Sequence, residues 1–299
     1  MDQDIIAYAG KKLYKLHIFK ERKRYLVFRL RCWVYGKAIK KHLAFFAEKD
    51  LRERVLLGEP SFLEQATRGF FYKASTVEER MELIQNHLQI LENSFQPAFL
   101  EKLYVNKETI TLWQEEQEGK QLSLELGFNA GQRKEGCLSL NLLYDGSRLY
   151  QIMFWLNYKD NKPLVYIGAL QGMVNGGEIV KALTKAYFGY RTKNLIFYGL
   201  RSLASYLGID KIYAVGNEGY YAMNHIRLDR KLKTDFGAFW QECEGQLSED
   251  KRFYVMPVAE YRKAMEELKP SKRAQHRRRF AKLDEITASV HEALQPYSR

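Results

Sequence analysis

The chain has 299 residues, of which 46% are hydrophobic and 28% are charged, with only 6 Pro and 20 Gly. This composition excludes a disordered chain, a collagen-like fibre and a low-complexity polymer, and the length allows a sizeable buried core in one or two domains. No run approaches the roughly 20 consecutive apolar residues that a membrane-spanning helix requires. Asp2 and Asp4 precede the first cation, so we expect no secretory signal. The three cysteines, Cys32, Cys137 and Cys243, have no zinc-site spacing and indicate a reduced cytoplasm.

The excess positive charge lies at the two ends of the chain. Residues 1–60 hold 15 Lys or Arg against 7 Asp or Glu, residues 260–299 hold 10 against 6, and residues 61–259 are neutral. The net charge of +12 therefore predicts an anionic partner, such as nucleic acid, lipid headgroups or a polyphosphate group. A solvated cationic surface that only keeps the protein in solution is the alternative.

The first third of the chain predicts basic, aromatic-rich helices. Apolar residues recur there every three or four positions, at Leu13, Leu16, Phe19, Tyr25, Phe28 and Cys32. A clearer helix then begins at Thr76, which forms a capping-box pattern with Glu79, and ends at Pro97.

Short apolar or alternating runs follow, and they predict a sheet. The runs are LSLELGF (122–128), CLSLNLLYD (137–145), RLYQIMFWLNY (148–158) and PLVYIGALQG (163–172). Asp145-Gly146 between two of them is a strong hairpin signal. We therefore expect an antiparallel meander of three or four strands.

The remaining pattern alternates helices with strands. Helices are predicted at 177–187 and 193–207, the second ended by Gly208, and strands at 211–217 and 252–258. The predicted class is α+β (α/β-like), with an N-terminal helical segment and a central mixed, largely antiparallel sheet flanked by helices. The predicted domains are a basic helical region (1–115), a central α/β domain (116–260) and a basic C-terminal helical tail packed on the core (261–299).

Three consecutive arginines, Arg277 to Arg279, lie in the C-terminal tail. They cannot share one helical face, so some must point inward or toward a partner. A phosphate-binding element and a docked helix with ion pairs both remain open.

A loop from Gly189 to Lys193 opens the helix that leads into the strand at 211–217. Backbone N–H groups at a helix start are unpaired, and the helix dipole places partial positive charge there. Arg191 and Lys193 add full charges, so this loop is a candidate phosphate cradle. An ordinary crossover with a solvated basic cap is the alternative.

This succession of strand, loop, helix and strand resembles the core of the GCN5-related acyltransferase superfamily. The resemblance implies that the loop holds the pyrophosphate of acyl-coenzyme A and that the thioester lies between strands 164–170 and 211–216. The cofactor-binding residues expected on this basis are Gly168, Ala169, Leu170, Gly189, Arg191, Thr192, Lys193, Asn194 and Asn217.

Four residues are candidates for acid–base work. His225 follows the second strand, Tyr220 and Tyr221 could donate a proton to a departing thiolate, and Glu135 precedes a strand. Each also has an ordinary interpretation, as a surface, packing or loop residue. The six histidines are scattered without ligand-like spacing, so we expect no metal.

Several blocks of sequence resemble the bacterial VirK/YbjX family. They are LGFNAGQRKEGCLSLNLLYDGSRLYQIMFWL, YIGALQG with YFGYRTKNLIFYGLRSLASYLGIDKIYAVGN, DFGAFWQECEG and KRAQHRRRFAKLDEI. The resemblance covers nearly the whole chain and implies a role in envelope integrity, virulence and resistance to cationic antimicrobial peptides.

Two classes of function follow from these expectations. The first is an acyl-coenzyme A-dependent acyltransferase that acts on an envelope precursor or protein. The second is a non-enzymatic cytoplasmic protein, peripheral at the inner membrane, whose basic ends bind anionic lipid. Nucleic acid is the weaker partner, because no motif of a known nucleic-acid-binding module is present.

Overall fold

A computed structural model describes residues 2–117, 119–174, 176–224 and 235–299, and these residues form eleven α-helices and eight strands. The helices are α1 (Asp2–Leu13), α2 (Phe19–Val34), α3 (Gly36–Ala47), α4 (Asp50–Gly58), α5 (Ser61–Thr67), α6 (Val77–Ser94), α7 (Pro97–Leu100), α8 (Gly177–Ala186), α9 (Thr192–Tyr206), α10 (Phe236–Glu242) and α11 (Pro270–Leu294). The strands are β1 (Ile110–Gln117), β2 (Lys120–Gly127), β3 (Leu138–Tyr144), β4 (Ser147–Lys159), β5 (Lys162–Gly172), β6 (Lys211–Val215), β7 (Gln246–Leu247) and β8 (Phe253–Pro257). The predicted α+β class is confirmed.

The N-terminal helices follow the sequence pattern with two exceptions, of which the first is Leu16, in the turn between α1 and α2. The Thr76 hydroxyl accepts from the Glu79 N–H, and the Glu79 carboxylate accepts from the Thr76 N–H, so the capping box at the start of α6 is confirmed. Phe28 and Cys32 of α2 are buried, as their spacing predicts. Phe19 is exposed instead, because nine residues of helix place it half a turn away from Phe28.

The eight strands form one mixed sheet in the order β1-β2-β3-β4-β5-β6-β8-β7. Strands β1 to β5 form the antiparallel meander, which has one strand more than the pattern predicts at its β1 edge. Asp145 and Gly146 both have positive φ, as the predicted tight hairpin turn between β3 and β4 requires. Strand β6 pairs in parallel with β5 and antiparallel with β8.

Helices cover this sheet and share its core. Helix α6 contacts β4, and α9 contacts β3, β4 and β5. Helix α11 runs along α9 and β1, where its Lys282 ammonium lies 2.8 Å from the Glu115 carboxylate. Within the tail, Arg279 donates to the Phe188 carbonyl, whereas Arg277 and Arg278 are exposed. The three arginines therefore point in different directions, as predicted.

Candidate active site

The parallel pairing between β5 and β6 is short. Residues 165–167 pair with residues 212–214, and β5 then continues to Gly172 without β6 as a neighbour. Gly168 is an extra residue in β5 that has no partner in the register with β4. Such a bulge bends the strand that carries it, so β5 departs from β6 at Gly168.

At the end of β6, the indole of Trp240 makes the hydrogen bond that a neighbouring strand would otherwise make. The Val215 carbonyl accepts a hydrogen bond of 3.0 Å from Trp240 Nε1. The next N–H, that of Gly216, donates to the Arg252 carbonyl on the β8 side. The carbonyl of one residue and the N–H of the next point to opposite sides of a strand. Because the Gly216 N–H faces β8, the Val215 carbonyl faces the β5 side. Trp240 of α10 therefore takes the position that a β5 amide would occupy in a continued ladder.

A buried carboxyl group, that of Glu135, lies beside the bulge. A Cβ atom at Gly168 would stand 1.9 Å from the Glu135 carbonyl oxygen, so only glycine allows this approach. Glu135 is 2% exposed. Its Oε1 accepts from the Tyr220 hydroxyl at 2.5 Å, and its Oε2 accepts from Gln171 Nε2 at 2.8 Å. Three polar side chains thus converge where β5 leaves β6.

The environment of this cluster changes its protonation. Burial raises the pKa of Glu135 from the ordinary value of 4.5 to about 7, although the Tyr220 hydrogen bond and the Lys134 charge oppose the shift. Burial, and next the charge of Glu135, raise the pKa of Tyr220. At neutral pH the carboxyl group is therefore divided between its two protonation states, while Tyr220 keeps its proton.

The N-terminal region holds Tyr220 in place from the other side. Tyr220 forms an isolated antiparallel bridge with Tyr72, and the Lys73 N–H donates to the Gly219 carbonyl at 2.8 Å. The Tyr220 ring lies 4.9 Å from the Tyr221 ring. The residues around 72 and those around 220 are far apart in the sequence, so the position of this hydroxyl depends on contacts between distant parts of the chain.

The structure brings together two of the four predicted catalytic residues, Glu135 and Tyr220. Tyr221 adjoins them through its ring and contacts Phe70. His225 lies outside the described residues. The catalytic roles of all four stay predictions.

Two of the residues expected to line an acyl channel, Ala169 and Leu170, are buried in β5. The third, Gly168, is covered by the Glu135 carbonyl. A ligand that enters between β5 and β6 would therefore have to displace the segment around Glu135 or the Trp240 ring.

The predicted phosphate-binding cations lie at the start of α9, and both have partners. Arg191 forms an ion pair with Glu242 between two half-exposed side chains, a kind of pair that contributes little to stability. The Lys193 ammonium lies 3.7 Å from the centre of the Phe239 ring, and burial lowers its pKa. An anion at this position would compete with Glu242 for Arg191.

Two buried polar atoms in the first turn of α9 have no hydrogen-bond partner within the described residues. Thr192 is fully buried, and its hydroxyl finds no hydrogen-bond partner among the residues described here. The Oδ1 atom of Asn194 is buried and equally lacks a donor in that part of the chain. Gly189 has φ +77 and lies against Gln275 and Arg279 of α11. The Thr192 hydroxyl can donate to a phosphate group, whereas the Asn194 N–H already donates to the Arg191 carbonyl at 2.9 Å and the Asn194 oxygen, as an acceptor, does not fit one.

Asn217, the last predicted ligand, caps a helix. Its Oδ1 accepts from the Phe236 N–H at 2.8 Å, and its Nδ2 donates to Asp235 at 2.9 Å. Asp235 in turn accepts from the Ala238 N–H. Both ends of the Asn217 amide are therefore used within the fold.

Helix α10 connects the two halves of the site. Its Phe236 ring lies 5.6 Å from the Tyr220 ring, and its Phe239 ring lies beneath Lys193. The indole of its Trp240 is bonded to the Val215 carbonyl at the end of β6, on the side that faces β5. One short helix thus contacts the carboxyl cluster, the strand gap and the start of α9.

Sequence reasoning missed two residues of this arrangement, Gln171 and Trp240. Gln171 is an amide in the otherwise apolar run VYIGALQG, and that contrast could have singled it out. Trp240 gives no such signal, because a tryptophan on a short helix is most often a core residue.

Comparisons with known proteins agree on one family. Residues 17–292 match the family described as "Protein of unknown function (DUF535)". The uncharacterized protein YbjX of Escherichia coli (strain K12) is 31% identical over 241 residues, which cover 78% of this chain and 72% of that relative. An uncharacterized protein of Haemophilus influenzae is 24% identical over 278 residues, or 91% of this chain and 90% of the relative. No solved structure matches the chain. The predicted resemblance to the VirK/YbjX family is thus confirmed, and the chain belongs to this family, which is described as DUF535.

Proposed function

We propose that the protein transfers an acyl group from a coenzyme A thioester to an amine or hydroxyl group of an envelope precursor or protein. The observation that carries this proposal is the Glu135–Tyr220 pair at the point where β5 leaves β6. The order of strand, helix α9 and strand, which resembles the acyltransferase core, supports it. The N–H groups of Thr192 and Lys193 and the Thr192 hydroxyl, with the Arg191 and Lys193 side chains, would hold the phosphates.

The bound thioester supplies the activated acyl group, and the chain supplies the proton transfers. Glu135 takes the proton that the acceptor nucleophile loses, because a carboxyl group with a pKa of about 7 is an effective base at neutral pH. Tyr220 gives its hydroxyl proton to the leaving sulfur as the carbon–sulfur bond breaks. The protonated Glu135 then returns its proton to the Tyr220 oxygen, across the 2.5 Å that separates the two atoms. This step restores the carboxylate of Glu135 and the hydroxyl of Tyr220.

The binding half of the proposal is tested by calorimetric titration. Acetyl-coenzyme A, a long-chain acyl-coenzyme A and free coenzyme A are titrated into the full chain. We expect binding that weakens about tenfold in Arg191→Ala, because a direct charged contact is lost. The exposed Arg277→Ala is the matched control and should bind like the unaltered protein. Absence of binding by all three ligands would refute the proposal.

The chemical half is tested by the release of free coenzyme A from an acyl thioester with a panel of amine and hydroxyl acceptors. We expect Glu135→Gln and Tyr220→Phe to lower the rate by a factor of about 100, the usual scale for a lost acid or base. Tyr213→Phe is the control, because it removes a hydroxyl from β6 that contacts Lys159 and not Glu135. Equal rates in all three variants would contradict the assigned roles.

The cellular part of the proposal is a contribution to envelope integrity, virulence and resistance to cationic antimicrobial peptides. It is supported by membership of the family alone. A deletion strain should become more sensitive to such a peptide and regain resistance with the unaltered gene, but not with Glu135→Gln. Full rescue by the Glu135→Gln variant would separate the resistance from acyl transfer.

A further inference from the structure

Helix α2 exposes large apolar side chains on the side that faces away from the protein. Its inner side is buried through Phe28 and Cys32. At 100° per residue, four apolar residues lie within about 60° of one another on the opposite side. We call them the α2 stripe, and their exposed fractions are 69% for Phe19, 60% for Leu26, 56% for Leu30 and 76% for Trp33. Exposed apolar patches of this kind mark interaction sites.

Cations border the α2 stripe on both sides. The helical positions place Arg22 and Arg29 along one border and Lys20 and Lys23 along the other. The helix as a whole carries six Lys or Arg against the single acidic residue Glu21. The outer surface of α2 is therefore apolar along its centre and positive at its borders.

We propose that α2 lies in the surface of an anionic lipid bilayer. The α2 stripe enters the boundary between headgroups and acyl chains, and the flanking cations contact anionic headgroups. Trp33 suits this depth, since tryptophan favours the membrane interface. A nucleic acid would satisfy the cations and leave the four apolar side chains in water.

The helix lies on the bilayer and does not cross it. No helix within the described residues is long and apolar enough for a membrane span. An amphipathic helix with a charged border buries only its apolar face. The exposed apolar side of α2 and the positive charge at its borders thus have one explanation, which is independent of the proposed acyl transfer.

Trp33 provides a direct readout of this contact. The other three tryptophans of the chain, Trp113, Trp155 and Trp240, are at most 3% exposed. We expect vesicles of phosphatidylcholine with phosphatidylglycerol to shift the emission of the full chain to shorter wavelength and to protect it from iodide. Trp33→Phe should abolish both changes. If the emission of Trp33 stays that of a water-exposed indole at all lipid concentrations, the proposal is wrong.

Vesicle flotation separates the apolar and the electrostatic contributions. Leu30→Ser with Trp33→Ser should lower recovery with anionic vesicles about tenfold or more. Lys20→Glu with Lys23→Glu should also lower the recovery, and the loss should grow with the fraction of anionic lipid in the vesicles. Val174→Ser, at an exposed position outside α2, is the matched control and should leave recovery unchanged.

Three results would overturn the proposal. Equal recovery with neutral and anionic vesicles would remove the role of the cations. Equal loss of recovery in Arg277→Glu with Arg278→Glu would place the contact on α11. If the emission of Trp33 shifts to shorter wavelength as the protein concentration rises, with no lipid present, the α2 stripe is a contact between copies of the chain.

Discussion

Replacement of Glu135 by glutamine should stabilise the folded protein at neutral pH. Glutamine has nearly the shape of the protonated carboxylic acid and carries no charge. Its amide oxygen can accept from Tyr220, and Gln171 can turn its amide to accept from the new NH₂ group. The substitution therefore keeps both hydrogen bonds and removes the buried ionisation.

The magnitude follows from the pKa of Glu135, which burial raises from 4.5 to about 7 in the folded protein. Below pH 4.5 the carboxyl group is protonated in both the folded and the unfolded chain, so it has no effect on stability. Between pH 4.5 and 7 the unfolded chain loses this proton first, and each pH unit lowers the free energy of unfolding by about 1.4 kcal/mol. Above pH 7 the full penalty of about 3 kcal/mol applies.

Urea unfolding followed by circular dichroism between pH 5 and pH 8 measures this effect. Glu135→Gln should match the unaltered protein near pH 5 and exceed its free energy of unfolding by about 3 kcal/mol at pH 8. Glu218→Gln, an exposed position two residues before Tyr220, is the control and should show no such divergence. A stability difference that does not change with pH would refute the account of a buried ionisable Glu135.

Three further substitutions test the packing around the site, all by urea unfolding. Gly168→Ala should destabilise the protein by at least about 2 kcal/mol, because its Cβ would stand 1.9 Å from the Glu135 carbonyl oxygen. Gly177→Ala is the control: its Cβ would have open space, and the substitution should change the stability by less than about 0.5 kcal/mol. Equal effects of the two would contradict the close approach. Glu92→Gln should cost about 2 kcal/mol, because the buried Arg52 guanidinium, now bonded to Glu92 at 2.6 and 2.9 Å, keeps only the exposed Glu48 carboxylate as a counter-charge. A change below about 0.5 kcal/mol would contradict a buried Arg52–Glu92 pair. Thr76→Ala should cost about 1 kcal/mol through the loss of the α6 cap, and an unchanged midpoint would exclude that role.

Local chemistry made much of the fold predictable. The capping box at Thr76, the Asp145-Gly146 turn and the alternation in strands β2 to β5 each depend on residues within a few positions of one another. Strand β1 was missed because its second half, QEEQ, is polar and lies at a sheet edge. The contact that orders this edge comes from α11, where Ser289 donates to the Leu112 carbonyl, and no local pattern shows it.

The candidate site was predictable residue by residue but not as an arrangement. Glu135 and Tyr220 are recognisable as acid–base groups, yet 85 positions separate them and only the folded sheet brings them within 2.5 Å. The pairing of Arg191 with Glu242 and the capping role of Asn217 depend in the same way on where α10 docks. Outward-facing side chains such as Phe19 show a further limit, since apolar spacing does not tell which side of a helix faces the core.

Hydrogen–deuterium exchange with acetyl-coenzyme A tests most directly whether a thioester binds between the start of α9 and the departing ends of β5 and β6. A saturating ligand should slow exchange at residues 192–195 and 168–172 together, with little change in α2. Unaltered exchange at both places, or protection confined to another part of the sheet, would contradict the proposed site.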